Sequence, residues 1–113
     1  MKKSEIQFHI ELDAENLPKA IRWDASDKEM PGLEETKSIS VNVWDNLNHA
    51  TLRIDLWTES MSVVEMKRFY IDILGGMAQT ILNSTGDEYM AEEMKDLCDR
   101  LVKHVNDENK KNL

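Results

Sequence analysis

Three histidines, one cysteine and twenty-two carboxylates are the side chains with which this chain could do chemistry, and their spacing gives them little to do together. His9 alternates with apolar residues, His49 lies in a polar turn, and His104 sits near the end of a helical pattern. None belongs to a close-spaced ligand pair, and no zinc spacing occurs. Cys98 and His104 are six residues apart on one helix, which places them on different faces. Ser62 is followed three residues on by Glu65, the spacing of a capping box, and no serine lies in a Gly-x-Ser-x-Gly elbow. Gly75-Gly76 and Gly86 match neither a phosphate loop nor a dinucleotide fingerprint. Carboxylate pairs such as Asp87-Glu88 read as solvated surface on an acidic protein. No catalytic residue, metal ligand or cofactor is expected, and the chain does not read as an enzyme.

What remains is a set of side chains suited to contact: Trp44, Trp57, Asn42, Arg53 and Asp55, with Ser40 beside them. Residues 51–81 organise the elements that must position them. Leu52, Ile54 and Leu56 alternate with polar residues, the period of a strand with one buried face. Met66, Phe69, Tyr70, Ile73, Met77 and Ile81 then recur at three and four, the stripe of an amphipathic helix. A strand therefore feeds a helix that starts at the capping box.

Earlier in the chain, residues 4–13 alternate cleanly, with Ile6, Phe8, Ile10 and Leu12 on one side. Residues 19–24 form a second strand with Ile21 and Trp23 inward, joined to the first by a short loop. Residues 25–34 have no period and read as a solvated connection. Residues 36–45 form a third strand with Ile39, Val41 and Val43 inward. Residues 45–49 are a polar turn rich in residues that bond their own backbone. If strands three and four pair as a hairpin, Val43 faces Leu52, Val41 faces Ile54 and Ile39 faces Leu56, so all apolar residues share one side. Asn42 then stands opposite Arg53, and Ser40 opposite Asp55.

The first helix runs over about residues 63–83 and contains Gly75-Gly76, which cost roughly 1 kcal/mol each relative to alanine. Close packing of the backbone on a neighbour is the preferred compensation, a kink the alternative. Gly86 punctuates, and a second helix starts near Asp87 with the stripe Met90, Met94, Leu97, Cys98, Leu101 and Val105. Residues 106–113 are polar and are expected to fray.

Strands followed by helices predict an α+β fold. The expected architecture is a four-stranded antiparallel sheet followed by two long helices packed on one face, in a single domain spanning residues 1–113. The other sheet face stays bare, carrying Trp44 and Trp57 at opposite ends of the hairpin, roughly 20 Å apart by strand rise. Tryptophan is enriched at interface anchors. Local cover by a loop is the competing account of each indole. The polar set between them reads as a structural ladder or as a recognition patch.

The formal net charge of −8 disfavours nucleic acid and anionic membranes as partners. A single cysteine excludes an internal disulfide and suits a reducing compartment. No apolar signal core follows Lys2-Lys3, and no run approaches the ~20 apolar residues of a membrane span. A cytoplasmic location is expected.

Several long strings resemble the GldC family of gliding-motility proteins from Bacteroidetes. They are Glu35-Thr-Lys-Ser-Ile-Ser-Val-Asn-Val-Trp-Asp45, Thr51-Leu-Arg-Ile-Asp-Leu-Trp-Thr58, Met66-Lys-Arg-Phe-Tyr-Ile-Asp72, Gly75-Gly-Met-Ala-Gln-Thr80 and Thr85-Gly-Asp-Glu-Tyr-Met90. The resemblance spans nearly the whole chain and is weakest over residues 25–34. It implies a small cytoplasmic accessory protein of gliding, without a lipoprotein signal and without catalytic residues to transfer. The expected role is a non-enzymatic interaction module whose contact surface is Trp44, Trp57, Arg53, Asp55 and Asn42, with proteins of the gliding apparatus as partners. Self-association through an uncovered strand edge or face is also open. The alternative is a small-ligand-binding domain with a pocket between sheet and helices near Gly75-Gly76, lined by Trp23, Tyr70 and Tyr89.

Overall fold

The computed structural model describes residues 1–111. In chain order the elements are β1 (Ile6–Leu12), β2 (Pro18–Ala25), β3 (Glu34–Thr36), β4 (Ser38–Asp45), β5 (Ala50–Trp57), α1 (Val63–Thr85) and α2 (Glu88–Lys111). The strands belong to one compact unit that ends at Met61, and the helices to a second that begins at Ser62. Antiparallel strands followed by helices make the chain α+β, as the order of patterns implied.

The single four-stranded sheet is not what forms. Five strands divide into a three-stranded sheet, β1-β2-β3, and a two-stranded sheet, β4-β5. The stretch read as one third strand is two, broken by a bend at Lys37. Thr36, together with Glu34 and Glu35 from outside that stretch, pairs with β2 (Ile21↔Thr36, Trp23↔Glu34), and residues 38–45 pair with β5. Local side-chain bonds compete with the ladder here. Thr36 Oγ1 donates to the Ser38 carbonyl (3.3 Å) and accepts from the Ser38 N–H (3.5 Å). The Lys37 carbonyl instead accepts from the Thr58 N–H at 2.9 Å. Parity supplies the reason for the break. An unbroken strand would put Thr36 and Ser38 on one face, and so Ile21 and Ile39 on opposite faces of one sheet. The bend frees both isoleucines from that constraint. Ala20, Ile21, Ser38, Ile39 and Thr58 are the buried residues of this unit, and Ile21 is wholly enclosed.

The two hairpins keep the expected partners. Phe8 pairs with Trp23 and Ile10 with Ile21, with an irregularity between Glu11 and Leu12. Asp13 Oδ1 accepts from the N–H groups of Glu15 and Leu17 to shape the first turn. In the second hairpin Val43↔Leu52, Val41↔Ile54 and Ile39↔Leu56 are the observed pairs.

Residues 25–34 are more than a solvated connection. The Lys28 side chain is only 6% exposed. Its ammonium lies 4.7 Å from the Trp23 ring centroid, donates to the carbonyls of Trp23 and Gly32, and pairs with Asp24 (3.7 Å) and Glu34 (3.4 Å). One lysine thus ties both ends of the loop together.

In the helical unit the capping box is present in both directions. Ser62 Oγ accepts from Glu65 N–H, and Glu65 Oε1 accepts from Ser62 N–H, each at 3.1 Å. Gly86 closes α1 with φ of 72°, a left-handed conformation that glycine adopts without a Cβ penalty. Asp87 Oδ1 accepts from Met90 N–H and caps α2. The two helices form an antiparallel hairpin whose buried residues are small, Ala78 and Ala91. A Cβ built on Gly75 would meet Cys98 Sγ at 3.7 Å, and one on Gly76 would meet nothing within 4 Å. Gly75 does face the neighbouring helix, but an alanine would fit there. The expected fraying from residue 106 does not occur over 106–111, where α2 continues to Lys111. Two basic residues in its last turn oppose the helix dipole, and Lys103 bonds Asp107 at 2.8 Å. Residues 112 and 113, included in that expectation, lie outside the described residues.

Candidate functional site

The hairpin of β4 and β5 carries the five residues singled out for contact. Its register places Trp44 opposite Thr51, Asn42 opposite Arg53, Ser40 opposite Asp55 and Ser38 opposite Trp57. Alternation along each strand puts all eight on one face. From end to end the face reads indole, amide with guanidinium, hydroxyl with carboxylate, indole.

The middle of this face is bonded. Asp55 Oδ1 accepts from Ser40 Oγ at 2.7 Å and from Arg53 at 3.1 Å. Arg53 Nε reaches the second carboxylate oxygen at 3.3 Å, so the pair is two-pronged. Asp55 is thereby held by its own strand and by the strand across from it. Asn42 stands beside Arg53, outside this bonded set.

Trp44 is 60% exposed and Trp57 53% exposed. The Trp44 ring stacks on His49, with centroids 6.4 Å apart and planes within 6°. His49 ends the hairpin loop at φ of 51°, and Asp45 anchors that loop by accepting from Leu47 N–H, Asn48 N–H and Asn48 Nδ2. The Asn48 amide and the two N–H groups hold the Asp45 carboxyl below the usual aspartate value. Trp57 borders a hollow of about 240 Å³ whose other walls include Leu17, Pro18, Leu56 and Glu59. Sequence pattern located both indoles and the ladder between them. It read Val43, Leu52 and Ile54 on the reverse side as inward, whereas each is more than half exposed.

His9 bonds Gln7 at 3.3 Å, and His104 lies 3.3 Å from Glu108. Cys98 Sγ donates to the Ile71 carbonyl at 3.5 Å. Among the described residues no group of three or more His, Cys, Asp or Glu side chains is placed to hold a metal ion. Among the described residues, no helix is long and apolar enough to cross a membrane.

The helical hairpin has hollows of its own. Beside Gly75 lies one of about 350 Å³, bounded by Ala78, Leu82, Ala91, Lys95 and Cys98. Tyr70 and Tyr89, expected as walls near the glycines, do not line it. Tyr70 instead lines a larger apolar groove of about 590 Å³ with Val63, Met66, Leu74, Leu101 and Val105, and with Lys67 and His104 at its polar rim. Trp23 belongs to the strand unit, where Lys28 occupies one side of its ring.

No curated protein and no solved structure matches the chain. The family model described as gliding motility-associated protein GldC-like matches residues 18–107, a span that takes in β2 through most of α2 and includes both tryptophans of the face. The chain therefore belongs to the GldC-like family of gliding motility-associated proteins.

Proposed function

We propose that this chain is a non-enzymatic, cytoplasmic interaction module of the gliding machinery, and that the face bearing Trp44, Asn42, Arg53, Asp55 and Trp57 is its contact surface for proteins of that apparatus. The observation that carries the reading is the arrangement of two half-open indoles around an ordered carboxylate–guanidinium pair. Large aromatic anchors with a pre-bonded polar centre lose little side-chain entropy when a partner covers them. Family membership supplies the process, and the face supplies the means.

The test is the double variant Trp44→Ser/Trp57→Ser in a gliding cell. The expected result is loss of co-purifying apparatus proteins and slowed gliding, with circular dichroism and thermal midpoint retained. Wild-type capture and wild-type gliding from a folded double variant would overturn the assignment.

The apolar groove of the helical hairpin favours a second reading, a site for a small apolar ligand. Its volume of about 590 Å³ falls in the range of ligand pockets. Leu74→Trp would fill it. Competition between this substitution and an apolar fluorescent dye decides the matter, and equal dye binding by both proteins removes the idea.

A further inference from the structure

We infer that β1 pairs along its free edge with β1 of a second copy of this chain, antiparallel, about a two-fold axis passing between the two His9 residues. The inference does not use the tryptophan face, which belongs to the other sheet, so either can fail alone.

β1 is the outer strand of its sheet, and all seven of its residues are exposed. Which backbone groups point outward follows from one hydrogen bond. Ser26 N–H donates to the Glu5 carbonyl at 3.0 Å, and the ladder continues from there as Ile6↔Ala25, Gln7↔Asp24, Phe8↔Trp23 and His9↔Arg22. Bonded and non-bonded pairs alternate in an antiparallel ladder. Residues 5, 7 and 9 therefore turn their N–H and C=O groups toward β2, and Ile6, Phe8 and Ile10 turn theirs toward the open edge.

The sequence of the strand then selects its partner. Ile-Gln-Phe-His-Ile-Glu-Leu reads the same from either end in chemical type. Folded about His9, it sets Phe8 against Ile10, Ile6 against Leu12, and Gln7 against Glu11. Every outward-directed residue meets another outward-directed residue, as an added strand requires. All apolar pairs fall on one face, and an amide donor meets a carboxylate acceptor on the other. Ile6 is 68% exposed and Leu12 52% exposed, so both have surface to lose. Edge strands are ordinarily protected by charge, proline or a bulge; in β1 the carboxylate of Glu11 and the irregularity beside it lie at one end, and residues 6–10 have no lysine, proline or bulge. Pairing would join two three-stranded sheets into one of six strands.

The edge of β5 is the rival. It too has a self-matching centre, with Arg53 and Asp55 flanking Ile54. Leu17 and Pro18 stand beside its Trp57 end, and Asp55 is already bonded to Ser40 and Arg53.

The test uses the full chain carrying Cys98→Ser. His9→Cys places two thiols at a non-bonded antiparallel pair, where Cα atoms approach to about 4.5 Å, within disulfide reach. Mild oxidation is expected to give a covalent dimer in yield at least about tenfold above that of Gln7→Cys alone, and Gln7→Cys/Glu11→Cys is expected to restore cross-linking. Light scattering on the unmodified chain should give twice the monomer mass, and Phe8→Lys should return it to the monomer mass with circular dichroism unchanged. If Phe8→Lys does not fold, the cysteine pattern decides by itself. A monomer at all concentrations, a dimer that cross-links through Ile54→Cys and not His9→Cys, or equal yields from His9→Cys and Gln7→Cys would each overturn the inference.

Discussion

Lys67 and Glu108 stand 41 positions apart in the chain and 2.8 Å apart in space, joining the second turn of α1 to the last turn of α2. That bond, ahead of the charges of Lys67, His104 and Lys111, holds the Glu108 carboxyl below the ordinary value of 4.5 and outweighs desolvation. A carboxylate with a depressed folded value contributes stability above its unfolded value, and the contribution is lost as pH falls through the folded one. Asp45 adds to the same acid limb. Lys103, raised above 10.5 by Asp107, behaves oppositely: its contribution is present below 10.5 and is lost as pH rises past the folded value. The thermal midpoint is therefore expected to fall on acidification below about pH 4.5, and Glu108→Gln is expected to flatten part of that slope. Superimposable pH profiles for the two proteins would count against the bond.

Gly75 and Gly76 are helical glycines with room for a methyl group. Gly75→Ala and Gly76→Ala are each expected to stabilise the chain by up to about 1 kcal/mol, the intrinsic helix preference of alanine. Urea unfolding measures this. A loss of stability at either position would mean that another surface approaches the backbone there.

Lys28 gathers two carbonyls, two carboxylates and an indole at one nearly buried ammonium. Lys28→Met keeps the stem and removes the charge, leaving Asp24 and Glu34 to be resolvated. The expected cost is about 1–3 kcal/mol, reduced from a fully buried pair because both carboxylates are partly wet. Hydrogen exchange should quicken over residues 25–34 more than over β4 and β5.

Ser62→Ala removes one half of a reciprocal cap and is expected to cost about 1 kcal/mol. Glu65→Gln, which can still accept from the Ser62 N–H, is expected to cost less. Equal losses from the two would show that charge, and not the paired bonds, sets the helix start.

Arg53 is about half exposed, so its pairing with Asp55 holds the face in shape more than it holds the fold together. Arg53→Met is expected to change stability by less than about 1 kcal/mol. A functional defect in this variant at unchanged thermal midpoint therefore reports recognition.

The hairpin of β4 and β5 was legible residue by residue, because a one-residue slip would part Val41 and Val43 from Leu52 and Ile54 by turning one pair to the other face. The helix limits were legible where chemistry punctuates: Ser62 with Glu65 at one end, Gly86 at the other. Two things were not. Lys37 is an ordinary residue in an alternating run, and nothing in its type announces a bend. The signal was its neighbours, a threonine and a serine able to bond across it. Lys28 was hidden for the opposite reason. It lies in a stretch without period, where a lysine reads as solvated, and its partners come from both sides of the loop. The tryptophan face was legible as a list of residues, whereas the bonds that order Arg53, Asp55 and Ser40 needed coordinates.

A corner made from a single residue has no slack. Adding or deleting one amino acid at Lys37 would rotate the phase of everything that follows in β4, bringing Val41 and Val43 to the side that now bears Asn42 and Trp44. The four-residue tip at 46–49 sits between strands whose phase is already set, and can lengthen without such an inversion. Drift in chain length over generations should thus collect at the tip and be purged from the corner.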